Sequence, residues 1–380
     1  MSWKIPLADI DIGDEEIKAV EQVLRSKWLS MGEVTGEFEN TFAGFLGIKH
    51  AFAVTNGTAA LHLAHAALGL TAGDEVIVPS LTFVATANSI TYTGATPVFA
   101  EVGGPDDLNV RAADIERRVT PRTRAITVVH YGGYACDMDA ILEVARRHKL
   151  SVIEDAAHAP GALYKGQKAG TFGDVACFSF FSNKNLTTGE GGMVVTDRDD
   201  LAEGIRLMRS HGMTTLTWDR YRGHAHTYDV VAPGYNYRID EIRSTLGLVQ
   251  LQRLEVSNRR RQELVDGYRD MLADVAGLSM PFRDWPHVSA NYVFPILLDD
   301  ASRRPAFIES LKAEGIQTSI HYPPIHLFTY YRERYGYSEG SLPITEDVCA
   351  REVTLPLFPL MSERDVETVA AAVRRALAMA

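Results

Sequence analysis

The 380 residues carry 38 Lys and Arg against 49 Asp and Glu, a formal charge of −11, which disfavours nucleic acid as the main partner. A hydrophobic share of 46% with 23% charged residues excludes a disordered or collagen-like chain and fits a globular protein of roughly two or three domains. Three scattered cysteines (Cys136, Cys177, Cys349) without a Cys-x-x-Cys pair exclude a disulfide scaffold and support neither a zinc knuckle nor a redox pair. The start, Met1-Ser2-Trp3-Lys4-Ile5-Pro6, lacks the apolar stretch of a signal peptide. No window approaches the ~18 apolar residues of a membrane span, so the expected setting is the cytoplasm, with no membrane partner.

In chain order, Ala51 to Val54 is a short apolar run, followed by Thr55-Asn56-Gly57-Thr58 and a helix-like stretch with Leu61, Ala64 and Leu68. Glu75 to Val78 reads as a buried strand stopped by Pro79, and Thr82 to Tyr92 as a helix closed near Gly94. Thr96 to Glu101, Arg124 to His130, Ser151 to Glu154, Val175 to Phe180 and Gly192 to Thr196 read as strands. Ala112 to Val119 and Met138 to His148 read as helices between them. This alternation predicts an α/β domain with a mixed, mostly parallel sheet covered on both faces. The pattern changes near residue 236. Ile239 to Val275 has helical spacing, and its Arg259 to Arg261 run reads as a solvated face. Short strands (Ala290 to Leu298, Gln317 to Tyr322) then mix with helices (Arg304 to Gly315, Glu363 to Met379). The predicted division is a large domain over 1–250 and a smaller α+β domain over 251–380.

Ligands of open α/β sheets sit beyond the carboxyl ends of the strands. After Val54, the small residues Gly57, Thr58 and Ala59 open a helix, where backbone N–H groups and the helix dipole favour an anion such as phosphate. The alternative is an ordinary turn with Thr58 as cap. Asp155 ends a strand among small apolar neighbours, a costly place for a carboxylate unless it meets a cation. Lys184 lies between a buried strand and the turn Thr188-Gly189-Glu190-Gly191-Gly192. Together these are what pyridoxal phosphate needs: a lysine amine for its aldehyde, an acid for its pyridine nitrogen, and a helix end for its phosphate. Phe83 is placed to cover one ring face.

These residues resemble the fold-type I, aspartate-aminotransferase-like enzymes, and within them the DegT/DnrJ/StrS family of sugar aminotransferases. The resemblance is carried by Thr55-Asn56-Gly57-Thr58-Ala59-Ala60-Leu61, Gly73 to Pro79 with Thr82 to Thr86, Glu154-Asp155-Ala156-Ala157-His158, Phe178-Ser179-Phe180 with Lys184 and Gly189 to Gly192, Gly234-Tyr235-Asn236-Tyr237-Arg238, and His321-Tyr322-Pro323-Pro324-Ile325-His326. It implies that Lys184 takes the cofactor aldehyde and shuttles the proton, and that Asp155 pairs with the ring nitrogen. It implies further that Phe83 stacks on the ring, that Gly57, Thr58 and Ser179 hold the phosphate, and that His158 lies near the 3-hydroxyl. Asn236 would reach the neighbouring subunit's phosphate, making the active unit a homodimer. Trp28, Ser30, Met31, Tyr322 and His326 resemble substrate-side positions. The implied reaction passes an amino group from an amino acid, glutamate by resemblance, to a nucleotide-linked 4-keto-6-deoxy hexose, as in perosamine synthases. Histidine at 158 also occurs in cyclitol and aminohydroxybenzoate branches, which stand as alternatives, as do a 3-keto-sugar aminotransferase and a regulator on the same fold without turnover. A lysine at 184, where the dehydratase branch has histidine, favours transamination.

His211, His224 and His226 suggest a metal cluster on paper, but no carboxylate or cysteine set accompanies them, and no metal is expected. Residues 214–218 read as a loop that borders the sugar site under the resemblance. Cys177 reads as a small core residue, and Tyr330-Tyr331 with Arg332 and Arg334 as a helix face.

Overall fold

A computed structural model describes residues 3–215, 223 and 227–379, the side chain of Met379 excepted. Seven strands form the main sheet: β1 (His50–Val54), β2 (Glu75–Pro79), β3 (Thr96–Ala100), β6 (Thr123–Val129), β7 (Ser151–Asp155), β10 (Val175–Ser179) and β11 (Gly192–Thr196). Their spatial order is β1-β11-β10-β7-β6-β2-β3. All neighbours are parallel except those of β11, which runs antiparallel to both β1 and β10. The predicted mixed, mostly parallel sheet is what the chain builds. Two short hairpins, β4 (Val102–Gly104) with β5 (Asp107–Val110) and β8 (Leu163–Tyr164) with β9 (Gln167–Lys168), decorate it.

Alternation along each strand feeds two cores. In β10, Ala176 and Phe178 face one core with Phe38, Phe42 and Ile141, while Val175 and Cys177 face another with Leu61, Leu63 and Ile90. The second core is roofed by α3 (Gly57–Ala67), α4 (Ala85–Tyr92) and α7 (Asp199–Met208). The first is covered by α6 (Met138–His148) and by α2 (Glu33–Leu46), which packs on α8 (Glu241–Leu272). The helix α5 (Ala112–Arg117) packs on α6. Gly247 lets α8 lie close on α2: a Cβ there would stand 2.4 Å from the Phe38 ring. Helix α8 serves two cores, with Leu251 and Leu254 in the first and Leu264, Val265, Tyr268 and Leu272 in a third. That third core lies under the small sheet of β12 (Leu278–Ser279), β13 (Phe294–Leu298) and β14 (Glu352–Leu355), with α9 (Arg304–Ala313) and α12 (Glu363–Met379).

The structure corrects several local expectations. The helix expected from Thr82 begins at Ala85, and Thr82 and Phe83 turn to line a cavity instead. The strand expected from Ala290 begins at Phe294. Before it, Asn291 takes a left-handed φ of 48°, and the amides of Ala290 and Tyr292 donate to the carbonyls of Gly133 and Gly132. Residues 317–322 are not a strand. Only Ser319 pairs with Thr354, and the next ladder partner for His321 N–H is a side chain, Glu352 Oε2 at 2.8 Å. Arg261 is 3% exposed rather than solvated, because its guanidinium donates to the Leu357 carbonyl at 2.9 Å. Helices α1 (Asp14–Ser26), α2 and α7, unassigned from sequence, complete the large layer. Tyr331, on α10 (Thr329–Tyr335), is buried against Phe99 rather than presented on a surface. Another helix, α11 (Pro343–Arg351), leads into β14.

Candidate active site

The carboxyl ends of β1, β2, β6, β7 and β10 converge on one cavity of about 640 Å³. At the end of β1, Asn56 caps α3 by accepting from Ala59 N–H at 2.8 Å. The cap is therefore Asn56, not Thr58, and the hydroxyl of Thr58 is left to the cavity it lines. Gly57 is held against the end of β10: a Cβ there would lie 2.9 Å from Ser179 Cβ. Glycine is needed at 57 for that approach. Gly57, Thr58 and Ser179 line the cavity, whereas Ala59 is buried behind it. This cradle sits at the positive end of an 11-residue helix.

Asp155 closes β7 beside Val129 of β6. Its carboxylate accepts from Thr86 Oγ1 at 2.7 Å and from Ala157 N–H at 3.1 Å. Burial raises its pKa, and the two hydrogen bonds with the charges of Lys184 and His130 only partly offset this. It remains a buried acid short of a cation. Lys184 follows β10 by five residues and lines the same cavity. It keeps part of its surface open to that space, yet protein surrounds it closely enough that burial lowers its pKa to about 7 against the pull of Asp155. Its Nζ lies 4.0 Å from the centroid of the Tyr292 ring. The two groups on which the sequence reading depended therefore face one space.

His158 stacks on Tyr292 with centroids 4.4 Å apart and an interplanar angle of 26°. Its Nε2 lies 3.2 Å from Tyr322 Oη, and its Nδ1 accepts from Gly132 N–H at 3.4 Å. Burial and the Lys184 charge hold it well below the usual histidine range, so the ring is neutral. Gly133, with φ 97°, is fixed by close approach, since a Cβ would lie 2.8 Å from Asn291 N and 3.0 Å from the His158 carbonyl. Phe83 is 55% exposed in the cavity wall, 5.9 Å from the Tyr322 ring.

The remaining sequence candidates lie elsewhere. His326 is fully buried, with Nδ1 2.7 Å from Ser80 Oγ and Nε2 3.0 Å from Glu346 Oε1. Trp28, Ser30 and Met31 are not among the residues that line the cavity. Their segment is tied to the start of α8 by a Ser30–Asp240 bridge and a Glu241 N–H to Leu29 carbonyl bond of 3.0 Å. Asn236 is exposed, its backbone bridged to Ser210. His224, His226 and residues 216–218 lie outside the described residues. Among the described residues no group of three His, Cys, Asp or Glu is placed to hold a metal.

Cavity residues to which the sequence assigned no role include Thr86, Arg243, Tyr292 and His321. Thr86 and His321 carried a signal, since both lie in stretches that carry the family resemblance, Thr86 three residues beyond Phe83 on the entering turn of α4. As a set, the residues fit pyridoxal phosphate. A cradle that a Cβ at 57 would fill, a buried acid lacking a cation and a lysine lowered to about 7 share one cavity.

Residues 10–374 match the DegT/DnrJ/EryC1/StrS aminotransferase family. The chain is 44% identical over 379 residues to the spore coat polysaccharide biosynthesis protein SpsC of Bacillus subtilis, covering 98% of this chain and 96% of that one. Among solved structures it superposes on Helicobacter pylori PseC, an aminotransferase of pseudoaminic acid biosynthesis, with TM-score 0.94 and 31% identity, covering 99% of this chain and all of that one. It also superposes on DesI, solved with its TDP-sugar product, with TM-score 0.87 and 34% identity over 98% of this chain and 92% of that one.

Proposed function

The chain belongs to the DegT/DnrJ/EryC1/StrS aminotransferase family of pyridoxal-phosphate enzymes, and from that premise we propose that it moves an amino group from glutamate to a nucleotide-linked 4-keto-6-deoxy hexose. One observation carries the reading: a lysine lowered to about 7 and a buried acid short of a cation face the same cavity as the amino end of α3. Pyridoxal phosphate, when bound, supplies an electron sink for the carbon that gives up its proton.

The chain's residues supply the rest. Gly57, Thr58 and Ser179 hold the phosphate, while Ala59, behind the cavity with its N–H taken by Asn56, supports the helix start. Asp155, steadied by Thr86, holds the proton at the pyridine nitrogen. Phe83 covers one ring face, and neutral His158 meets the 3-oxygen. Lys184 Nζ, half neutral near pH 7, takes the α-proton of the amino-acid donor and returns it. Tyr322 borders the substrate space, with the Trp28 to Met31 segment beyond it. The exposed Asn236 reaches the neighbouring subunit's phosphate in a homodimer. The substrate class is supported by DesI and its TDP-sugar product and by a cavity of about 640 Å³. Three buried, unpaired cysteines suit the proposed cytoplasmic setting, and no described helix is long and apolar enough to cross a membrane.

The test pairs glutamate with a panel of nucleotide keto sugars, with a keto cyclitol beside them, and reads product mass. The expected product has an amine in place of the ketone oxygen, with one 2-oxoglutarate per turnover. A sugar that loses water instead, or an aminated cyclitol, would move the chain to another branch. Absence of 2-oxoglutarate in every pairing would overturn the reading.

A further inference from the structure

We propose that the Glu352 carboxylate, acting through the Thr354 hydroxyl, fixes His321 with its Nε2 as a proton acceptor toward the cavity, where it meets a proton-bearing group of the substrate. That group is the ammonium of the donor or a hydroxyl of the acceptor. The inference rests on the reading above only in taking the cavity as the substrate site.

The arrangement follows from β14. Glu352 and Thr354 are two residues apart and point to the same face, and each is 1% exposed. The segment bearing His321 docks alongside, with Ser319 and Thr354 exchanging backbone bonds of 3.2 and 2.9 Å. His321 N–H donates to Glu352 Oε2 at 2.8 Å, and His321 Nδ1 lies 2.8 Å from Thr354 Oγ1. Thr354 Oγ1 in turn donates to Glu352 Oε1. A hydroxyl has one proton, and here the carboxylate has it. Thr354 Oγ1 therefore accepts from Nδ1, the ring's single hydrogen sits on Nδ1, and Nε2 keeps its lone pair. Burial and the Lys184 charge lower His321 to about 4, so the ring is neutral. His321 lines the cavity, and among the described residues no hydrogen bond engages its Nε2.

The chain can also pass a proton. When Nε2 takes one from the substrate, Nδ1 releases its own to Thr354 Oγ1, whose proton goes to Glu352. Burial raises Glu352 to about 7, so the carboxylate is able to keep it. The groups facing it are uncharged at neutral pH, namely the Tyr131 and Tyr322 hydroxyls, the Cys349 thiol and the His321 ring, except for the Arg304 guanidinium. Arg304 is occupied with the carbonyls of Cys349 and Glu352. Glu352 and Thr354 are positioning residues, and His321 is the one that touches substrate.

The test uses the full-length protein labelled with 15N-histidine, at about pH 8.5, above the Glu352 value of about 7. The wild-type His321 ring is expected in the Nδ1–H form. In Glu352→Gln the His321 amide claims the new amide oxygen, the NH2 faces Thr354, and the ring is expected to flip to Nε2–H. In parallel, the two half-reactions are timed separately, with glutamate alone and with the keto sugar alone. Glu352→Gln and Thr354→Val are expected to slow one half-reaction about a hundredfold and the other by less than about threefold, while Thr354→Ser keeps the wild-type rates. Loss in the glutamate half assigns the ammonium, and loss in the sugar half the hydroxyl. A wild-type ring in the Nε2–H form, an unchanged ring in Glu352→Gln, or equal rates in Thr354→Val and wild type would overturn the proposal. So would equal loss in both halves. A chain that shows the tautomer flip yet aminates no sugar would refute the functional reading while supporting the relay.

Discussion

The two walls of the cavity are built differently. On the large-sheet wall each group stands at the end of a strand: Gly57 after β1, Asp155 on β7, Ser179 on β10 and Lys184 just beyond it. Some of their supports are near in sequence, such as Asn56 for α3 and Ala157 for Asp155, and Thr86, which reaches Asp155 from 69 residues away, itself follows the end of another strand of the sheet, β2. On the opposite wall Tyr292, His321 and Tyr322 lie on irregular backbone and draw their partners from afar. Tyr292 Oη donates to Asn183, and His321 depends on Glu352 and Thr354. A parallel sheet brings strand ends together by topology alone, so a site built there needs only the right residue after each strand. A wall built from loops depends on tertiary pairing. The difference predicts that the first wall fails through chemistry and the second through geometry.

Lys184→Met is the largest expected break on the first wall. Turnover falls by at least the ~10²–10⁴-fold of a general acid–base group, and the absorbance of the lysine-bound cofactor disappears. Stability moves the other way in cofactor-free protein. The folded-state pKa of Lys184 is lowered from 10.5 to about 7, so between those values the unfolded chain holds a proton that the folded chain has released. Stability of the wild type therefore rises with pH across that window, and below about 7 the full cost of the buried charge is present. That cost is on the order of 3 kcal/mol once cavity water is allowed for. Urea unfolding of the cofactor-free proteins is expected to show Lys184→Met ahead at pH 7, with the gap closing by about pH 10.5. A variant no more stable than wild type at pH 7 would mean that the amine is not desolvated.

The same contrast governs what the sequence disclosed. The large sheet was legible because its strands are short apolar runs stopped by Gly, Pro or a polar motif, and the residues after them were visible as Gly57, Asp155 and Lys184. Helix α1 was not, because its apolar face is interrupted: it exposes Ile17 and Leu24 and buries Glu16, whose carboxylate meets Gly13 N–H, Gln250 and Arg253. Helix α2, by contrast, carries Phe38, Phe42 and Leu46 at helical spacing, so its signal is present in the sequence. Residues 317–322 have strand composition, but their backbone donor is met by a side chain, which no periodicity reveals. An arginine run reads as solvated because such runs usually are, whereas here the Leu357 carbonyl beyond β14 and those of Asn291 and Tyr292 before β13 take the hydrogens of Arg261. The motif that contains His321 discloses no role for it, since its partners lie 31 and 33 residues away.

A smaller break tests how much of the first wall is support rather than reactive group. Thr86→Val removes the 2.7 Å bond to Asp155 and leaves that oxygen unpaired in a buried place, a loss of about 1–3 kcal/mol. Because that bond lowers the Asp155 pKa, its removal raises the pKa further and weakens the hold on a proton at the ring nitrogen. The expected result is a roughly tenfold fall in kcat/KM and an upward move of the acidic arm of its pH profile, with Thr86→Ser restoring both. If kcat/KM falls while the acidic arm stays in place, Thr86 only packs.

The smallest effect on turnover is expected beyond the second wall, at His326. The motif places it close to Tyr322 in sequence, but the fold turns it away. The Glu346 carboxylate only accepts, so the ring hydrogen sits on Nε2 and donates to it at 3.0 Å; Nδ1 then accepts from Ser80 O–H at 2.7 Å, while Ser80 Oγ accepts from His326 N–H at 3.1 Å. Glu346 also accepts from the amides of Gly340 and Leu342. His326 thus ties the end of β2 to the start of α11, and both ring nitrogens are occupied in doing so. His326→Gln is expected to cost about 1–3 kcal/mol of folding stability, read by urea unfolding. Its kcat and KM for the sugar should stay within about twofold of wild type, as for a residue outside the reacting site. A rise in the sugar KM without loss of stability would show that this wall extends past Tyr322 to His326.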